Sequence, residues 1–180
     1  ALLARNNNAM LEAMYGINFA GAVTVPMNYR LAGPELIYIL NHSGSKCIMF
    51  EHIYADTIRE IQSELKTVTN FILIDSPDKK EIKPFGTPYE EFLDKASPAI
   101  MDIPELDEDD MISICYTSGT TGKPKGCVHT HRATYLNALG EVVEQKMNSD
   151  SSYLWTLPMF HSQGWNNVWS VTAVGAKHVC

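Results

Sequence analysis

The sequence predicts an α/β fold in which mostly parallel sheets are flanked by helices. Short, continuously apolar runs, typical of strands buried on both faces, alternate with segments whose apolar residues recur at helical spacing. Apolar residues make up 45% of the 180 residues and charged residues 19%, so the chain can bury a sizeable core and is not disordered throughout. No apolar run reaches the roughly 18 residues of a membrane-spanning helix, so we expect no transmembrane segment.

The first part of the chain alternates between the two patterns. The predicted order is a helix over 10–17, a strand over 22–25, a helix over 34–43, a strand over 47–50, a helix over 54–65 and a strand over 71–74. Pro34 suits the first turn of its helix, and Gly44 follows the last apolar residues of that helix. Residues 75–88 are rich in Pro, Gly and Lys, which predicts a loop or an insertion.

An acidic run divides the chain. Six of the nine residues from 102 to 110 are carboxylates, which is typical of a solvated linker. We therefore expect a first, partial α/β subdomain over 1–101, a linker over 102–110 and the start of a second α/β subdomain over 111–180. The second part begins with a strand over 111–116 and ends on residues 176–180, which resemble a strand cut short. Because the chain also starts without a methionine, we expect it to be a fragment of a longer protein.

Charge and cysteine content narrow the class of ligand. The net charge of −7 argues against a protein that binds nucleic acid, and an anionic ligand would need a local cationic site. Cys47, Cys115, Cys127 and Cys180 include no C-x-x-C pair, which indicates reduced thiols and a cytoplasmic protein.

A cationic site is predicted directly after the strand over 111–116. Of the ten residues from Thr117 to Gly126, four carry hydroxyl groups, three are glycines and two are lysines. Glycines allow successive N–H groups to point at one anion, and hydroxyl and ammonium groups add donors. The segment is not a Walker A loop, because two residues separate Gly119 from Gly122 and Pro124 follows Lys123. Composition alone leaves a flexible surface loop as the alternative.

The order of residues resembles a known family. Tyr116–Gly126 reads Y-T-S-G-T-T-G-K-P-K-G and is similar to the phosphate-loop signature of the adenylate-forming superfamily, which includes acyl-CoA synthetases, luciferases and peptide-synthetase adenylation domains. Residues 21–31 resemble its early G-A-V-x-V-P-x-N-x-R segment, and 157–161 resemble its L-P-M-F-H motif. The resemblance covers essentially the whole chain and is closest to fatty-acyl and medium-chain CoA ligases. It implies part of the large N-terminal domain of such an enzyme.

The resemblance implies an activity and a phosphate site. An ATP-dependent acid–CoA ligase forms an acyl-adenylate and pyrophosphate, and coenzyme A then displaces AMP to give a thioester. Lys125 would be the catalytic lysine of the motif, and Thr117 would contact Mg²⁺. The residues implied to bind the ATP phosphates are Thr117, Ser118, Gly119, Thr120, Thr121, Gly122, Lys123, Pro124 and Lys125.

A second group of candidates surrounds the L-P-M-F-H motif. The resemblance implies that His161 binds the substrate carboxylate and acts in catalysis, with Ser162 beside it, and that Trp165 lines an acyl channel. We expect an apolar carboxylic acid as substrate, because no carboxylate follows His161 to hold an α-amino group. From pattern alone, an aromatic core patch at helical spacing is the favoured interpretation of Phe160, Trp165 and Trp169, and only the resemblance assigns Trp165 to a channel.

Several alternatives stay open. Cys127, His129 and His131 alternate along a predicted strand and could bind zinc together with His161, although no standard ligand spacing supports this. The bland alternative is that the two histidines lead into a helix with an apolar stripe at Leu136, Leu139, Val143 and Met147. The protein could also adenylate an acid for another acceptor, or be a non-catalytic nucleotide- or anion-binding module. The second Mg²⁺ ligand, the ribose contact and the mobile C-terminal domain would lie beyond Cys180, so we expect this chain to be inactive alone. We allow a homodimer as the full-length assembly.

Overall fold

Helices and strands alternate along the chain, which confirms the predicted α/β class. The protein is described by a computed structural model over residues 1–76, 85–97, 103–117 and 122–180. Residues 77–84 of the predicted loop, and the site residues Ser118, Gly119, Thr120 and Thr121, lie outside these ranges. The helices are α1 (Asn8–Phe19), α2 (Gly33–His42), α3 (Ala55–Ile61), α4 (Tyr89–Asp94), α5 (His131–Glu144) and α6 (Ser162–Ala173). The strands are β1 (Leu2–Leu3), β2 (Cys47–Glu51), β3 (Asn70–Ile74), β4 (Thr87–Pro88), β5 (Met111–Thr117), β6 (Lys125–Thr130), β7 (Ser152–Leu154) and β8 (Lys177–Val179).

Internal contacts divide the chain into two units. Unit 1 comprises Ala1–Ala4, Met27–Asp102 and Tyr116–Lys125, and unit 2 comprises Arg5–Pro26, Ile103–Cys115 and Gly126–Cys180. One boundary falls at the start of the acidic run, but both units are discontinuous, unlike the predicted division into 1–101 and 111–180. The reason is long-range: helix α1 belongs to unit 2, where the Tyr15 hydroxyl donates a hydrogen bond to the Val168 carbonyl at 2.9 Å. The contiguous division stays a prediction for the longer protein.

Unit 1 is built on a four-stranded sheet in the order β1-β2-β3-β4, with every neighbouring pair parallel. Its central pair runs in register from Cys47 opposite Asn70 to Glu51 opposite Ile74. Ile48 and Phe50 are fully buried, which confirms that this apolar run is a core strand.

Helices α2 and α3 contribute the core of unit 1. Pro34 lies in the first turn of α2, and the Glu35 carboxylate accepts a hydrogen bond from the Ala32 amide at 3.0 Å, which caps the helix. Ile58 of α3 is fully buried. The helix predicted over 54–65 is confirmed in its centre, with single turns of 3-10 helix at His52–Tyr54 and Gln62–Glu64 on either side.

One predicted strand of unit 2 is reduced to a single bridge. Thr24 pairs in parallel with Ser113, its amide donating to the Ile112 carbonyl at 3.0 Å and its carbonyl accepting from the Ile114 amide at 2.9 Å. Pairing of the strand expected over 22–25 with β5 does not extend further, because Pro26 has no N–H group to donate to the next carbonyl of β5, and Pro26 takes part in a separate bridge instead.

The apolar stripe predicted on α5 does not face the described core. The helix is confirmed, but it ends at Glu144, before Met147, and Val143 is 76% exposed. Thr134 and Ala138, on another face, are buried instead. Leu136 and Leu139 are exposed like Val143. The periodicity therefore showed correctly which residues share a face of the helix, but not whether other residues pack against that face. Among the described residues, no helix combines the length and apolar character required to cross a membrane.

A histidine joins the parallel pair β7–β8 to helix α6. The Trp155 indole N–H donates to Nδ1 of His178 at 3.1 Å, and the two rings stack with centroids 5.8 Å apart. Nε2 of His178 lies 2.9 Å from the Thr172 hydroxyl. Because Nδ1 accepts a hydrogen bond, the neutral tautomer carries its proton on Nε2. Burial also lowers the pKa of His178, so both effects favour the neutral ring.

We expect the free energy of unfolding to fall as pH decreases through the ordinary histidine pKa of about 6.5. In that range the unfolded chain binds a proton that folded His178 resists, so acid favours unfolding. Urea denaturation followed by tryptophan fluorescence from about pH 8 to about pH 5 measures the slope. His178→Gln should flatten it, leaving the part contributed by His129, whose pKa burial also lowers. An unchanged slope in the variant would contradict this interpretation.

Candidate functional site

The predicted phosphate loop connects two strands that pair with each other. Strand β5 ends at Thr117, strand β6 begins at Lys125, and the two strands form their own sheet. The two described ends of the loop, Thr117 and Lys125, therefore lie on regular structure.

The described part of the loop offers groups that suit a polyphosphate. Gly122 has a φ of +94°, in the left-handed region that favours glycine, and no atom of the described residues lies within 4 Å of where its Cβ would be. Lys123 and Lys125 are exposed, and the Lys123 ammonium lies 5.8 Å from the ring centroid of Tyr38. With the exposed hydroxyl of Thr117, these residues supply hydroxyl, N–H and ammonium donors, the set that binds phosphate oxygens.

An aromatic cluster supports the strand that leads into this loop. Nδ1 of His42 lies 2.7 Å from the hydroxyl of Tyr116, and the His42 ring stacks on Tyr38 with centroids 5.2 Å apart. Burial raises the pKa of the Tyr116 phenol, which therefore keeps its proton and can donate it to His42. Sequence reasoning missed this contact. The spacing of Tyr38 and His42, one helical turn apart on α2, was the available signal.

His161 and Ser162 lie at the start of helix α6 in unit 2. Both are exposed, and the His161 carbonyl accepts from the amides of Gly164 at 2.9 Å and Trp165 at 2.8 Å. The turn that leads into α6 therefore fixes the backbone at His161, while its side chain remains at the surface.

Trp165 is a core residue of unit 2 within the described chain. Its side chain is fully buried, and its ring contacts those of Trp169, with centroids 5.4 Å apart, and His129, at 6.3 Å. Its indole N–H is buried without a hydrogen-bond partner among the described residues. The acyl-channel role of Trp165 stays a prediction.

Sequence reasoning missed Asn6, which holds the segment before His161. Its side-chain Nδ2 donates to the carbonyls of Trp155 at 3.2 Å and Leu157 at 2.7 Å, and its Oδ1 accepts from the Met159 amide at 2.8 Å. Asn6 precedes Asn7, the residue that caps α1, so its position suggested only a helix start.

A glycine allows the same segment to approach α6 closely. A Cβ on Gly164 would lie 2.2 Å from the Pro158 carbonyl oxygen and 2.8 Å from its carbon, both shorter than any tolerated contact. The Gly164 position thus excludes a side chain, which sequence periodicity alone could not show.

Unit 2 also contains an apolar cavity of about 400 Å³ between α1, α5 and α6. Tyr15, Phe19, Leu139 and Trp169 contribute to its lining, in which His161 and Trp165 take no part among the described residues. Three lining residues carry buried polar atoms without a partner in the described chain: Asn18 Nδ2, Thr134 Oγ1 and Trp169 Nε1.

The zinc alternative finds no support in the geometry. The described residues contain no group of three or more His, Cys, Asp or Glu side chains that could hold a metal ion. Strand β6 ends at Thr130, whose hydroxyl caps α5 by accepting from the Ala133 amide at 3.2 Å. The strand alternation that would align Cys127, His129 and His131 is therefore broken before His131.

The chain belongs to the AMP-binding enzyme family, whose model matches residues 1–180. It is 40% identical to 4-hydroxybutyrate–CoA ligase 2 of Metallosphaera sedula, and 37% identical to the peroxisomal butyrate–CoA ligase AAE11 of Arabidopsis thaliana. Each alignment covers 100% of this chain and 33% of the relative, so the chain spans about a third of the length of these curated relatives.

Solved structures confirm the fold. The chain matches a long-chain-fatty-acid–CoA ligase (FadD1) from Archaeoglobus fulgidus with a TM-score of 0.86 at 24% identity, over 99% of this chain and 34% of that one. It matches the N-terminal domain of FACL13 from Mycobacterium tuberculosis with a TM-score of 0.80 at 31% identity, over 98% and 42% of the two chains. The predicted resemblance to adenylate-forming enzymes, and to their large N-terminal domain, is confirmed.

Replacing either of two helical glycines of unit 2 by alanine should change the free energy of unfolding, in opposite directions for the two positions. Gly164→Ala should lower the free energy of unfolding by about 1–3 kcal/mol, because its Cβ collides with the Pro158 carbonyl. The Cβ of Gly140→Ala, in α5, meets no atom of the described residues within 4 Å, so this substitution should raise the free energy of unfolding by about 0.5–1 kcal/mol through helix propensity. Chemical denaturation of both variants measures the difference, and equal effects would contradict the close approach.

Proposed function

We propose that the protein containing this chain is an ATP-dependent acid–CoA ligase. In the first half-reaction a carboxylate oxygen bonds to the α-phosphorus of ATP, and the bond to the β-phosphate oxygen breaks with its electron pair leaving on pyrophosphate. In the second, the coenzyme A thiol attacks the acyl carbon, loses its proton and expels AMP. The observation that carries the proposal is the donor-rich loop between Thr117 and Lys125 in a chain of net charge −7.

The loop addresses the electrostatic problem of the first half-reaction. A carboxylate approaching the polyphosphate of ATP is repelled unless preorganised donors neutralise the phosphate charge. Lys125, fixed at the first residue of β6, would place a point charge on the phosphates, and the Gly122 amide and Lys123 would add donors. Mg²⁺, which the family resemblance implies, would add charge neutralisation when bound, and the Thr117 hydroxyl is the ligand that we assign to it here.

His161 and Ser162 would receive the acid. Both are exposed at the N-terminus of the 12-residue helix α6, where the helix dipole favours a negative group. The substrate proposed is an apolar carboxylic acid, and the acids in the names of the relatives include acetate, butyrate, 4-hydroxybutyrate and a medium-chain fatty acid. The four free cysteines favour a cytoplasmic enzyme, although the names of three Arabidopsis thaliana relatives include the word peroxisomal.

The proposal is tested on the protein encoded by the full reading frame. Acid-dependent release of pyrophosphate from ATP and formation of acyl-CoA should both appear. Pyrophosphate without thioester would indicate an adenylating enzyme with another acceptor. Nucleotide binding without either product would indicate a non-catalytic module.

Lys125→Ala should impair adenylation far more than folding. Loss of a charge-assisted contact costs about 1.5–3 kcal/mol, which corresponds to a rate decrease of roughly 10- to 150-fold. Its effect on the free energy of unfolding should stay within about 0.5 kcal/mol, because the side chain is exposed. Lys66→Ala, also exposed, is the matched control and should leave pyrophosphate release unchanged. Equal rates for the two variants would remove Lys125 from the site.

Trp165→Phe should shift the preference among acids of increasing chain length if Trp165 lines the acyl channel. Phenylalanine is the appropriate probe, because truncating so buried a tryptophan to alanine would cost about 3–5 kcal/mol of stability. Each methylene gained or lost in such a pocket is worth about 1–3 kcal/mol in kcat/KM. Trp169→Phe is the control for the same substitution in the core, because Trp169 contacts Trp165 but lines the apolar cavity of unit 2, in which Trp165 takes no part. If Trp165→Phe shifts the chain-length preference no more than Trp169→Phe does, Trp165 is a core residue only.

A further inference from the structure

We propose that Asn6 is a positioning residue for the adenylation half-reaction, acting through the backbone that leads to His161. This inference rests on the proposed function, since it assigns Asn6 to the segment that would present the acid-binding histidine. Asn6 lies outside the helices and strands and precedes α1, and no motif identified in the sequence includes it.

The contacts of Asn6 match the amide group in number and direction. Both donor positions and one acceptor position of its side chain are directed at backbone groups of alternate residues, Trp155, Leu157 and Met159. Regular strand pairing cannot continue there, because β7 ends at Leu154 and Pro158 has no N–H group. The amide thus supplies hydrogen bonds that a neighbouring strand would otherwise provide.

The three hydrogen bonds of Asn6 to Trp155, Leu157 and Met159 form a clamp that leads directly to His161. Met159, which donates to Asn6, is fully buried and anchors the segment. The next contact is between the His161 amide and the Pro158 carbonyl at 3.1 Å, and Gly164 packs against that same carbonyl. Residues 157–161 are therefore held by Asn6 on one side and by the first turn of α6 on the other.

A carboxylate cannot replace the amide. Asn6→Asp keeps the shape of the side chain and an acceptor for Met159, but it removes both donors and places a negative group against two carbonyl oxygens. Asn6→Gln keeps all groups but moves them by one methylene. Asn7→Ala is the matched control, because Asn7 caps α1 by accepting from the Met10 amide at 2.8 Å, a role confined to that helix.

The experiment measures pyrophosphate release by the full-length protein, with kcat and KM determined separately for the acid and for ATP. Asn6→Asp should lower kcat/KM for the acid by roughly 10- to 100-fold, because a small misplacement of a binding group has effects of that size. Its KM for ATP should stay within about twofold, and Asn6→Gln should recover part of the loss. Asn7→Ala should lower the Tm, through its lost cap of about 1 kcal/mol, without a selective effect on the acid.

Hydrogen exchange supplies a readout that does not depend on activity. The Met159 amide should exchange faster in Asn6→Asp than in the parent protein or in Asn7→Ala. Faster exchange with an unchanged kcat/KM for the acid would show a structural clamp and overturn the positioning role. Equal losses for acid and ATP would indicate general destabilisation and overturn it as well. If the unsubstituted protein releases no pyrophosphate with any acid, the proposed function fails and the role in adenylation fails with it, whereas the exchange result still reports on the clamp.

Discussion

Buried backbone N–H and C=O groups need hydrogen-bond partners, and the two units meet this requirement in different ways. In unit 1 the parallel ladder of β2 and β3 pairs five consecutive residues of each strand. In unit 2 the pair β7–β8 spans three residues of each strand, and Thr24 contributes a single bridge. There the side chain of Asn6 supplies bonds that strand pairing does not. The segment before His161 is therefore held by hydrogen bonds to a side chain where a neighbouring strand would otherwise supply them.

This difference explains which elements could be predicted. A ladder between buried parallel strands requires continuous apolar runs, so Cys47–Glu51 and Asn70–Ile74 are visible in the sequence. The run at 22–25 has the same character, but it pairs with β5 through Thr24 alone, because Pro26 lacks the N–H group that the next hydrogen bond to β5 requires. On α5 the spacing of Leu136 and Val143 correctly indicates a helix, yet periodicity describes which residues share a face and not what covers it.

The candidate site shows the same limit. Thr117, Gly122 and Lys125 could be predicted as candidates because the signal of an anion-binding loop is local, carried by glycines, hydroxyl groups and lysines within ten residues. The partner of Tyr116 is 74 residues away in the sequence, and Asn6 is 153 residues from Met159. A contact of that separation leaves no pattern in a single sequence, because neither partner changes the periodicity of its own element. Asn6 in particular lies in a run of three asparagines, where only a helix cap is expected.

The residues that would meet substrate and the residues that hold them in place have opposite environments. Lys125 and His161 are exposed, as groups that exchange water for an anionic ligand must be. Their supports are buried or hydrogen-bonded: Met159 is inaccessible to solvent, and Tyr116 is tied to His42. An exposed long side chain has many rotamers, so its productive geometry depends on how firmly its backbone is fixed. In the proposed enzyme, the specificity of this site would therefore depend partly on neutral side chains that contact neither ATP nor acid, and these carry no charge or motif by which a sequence would reveal them.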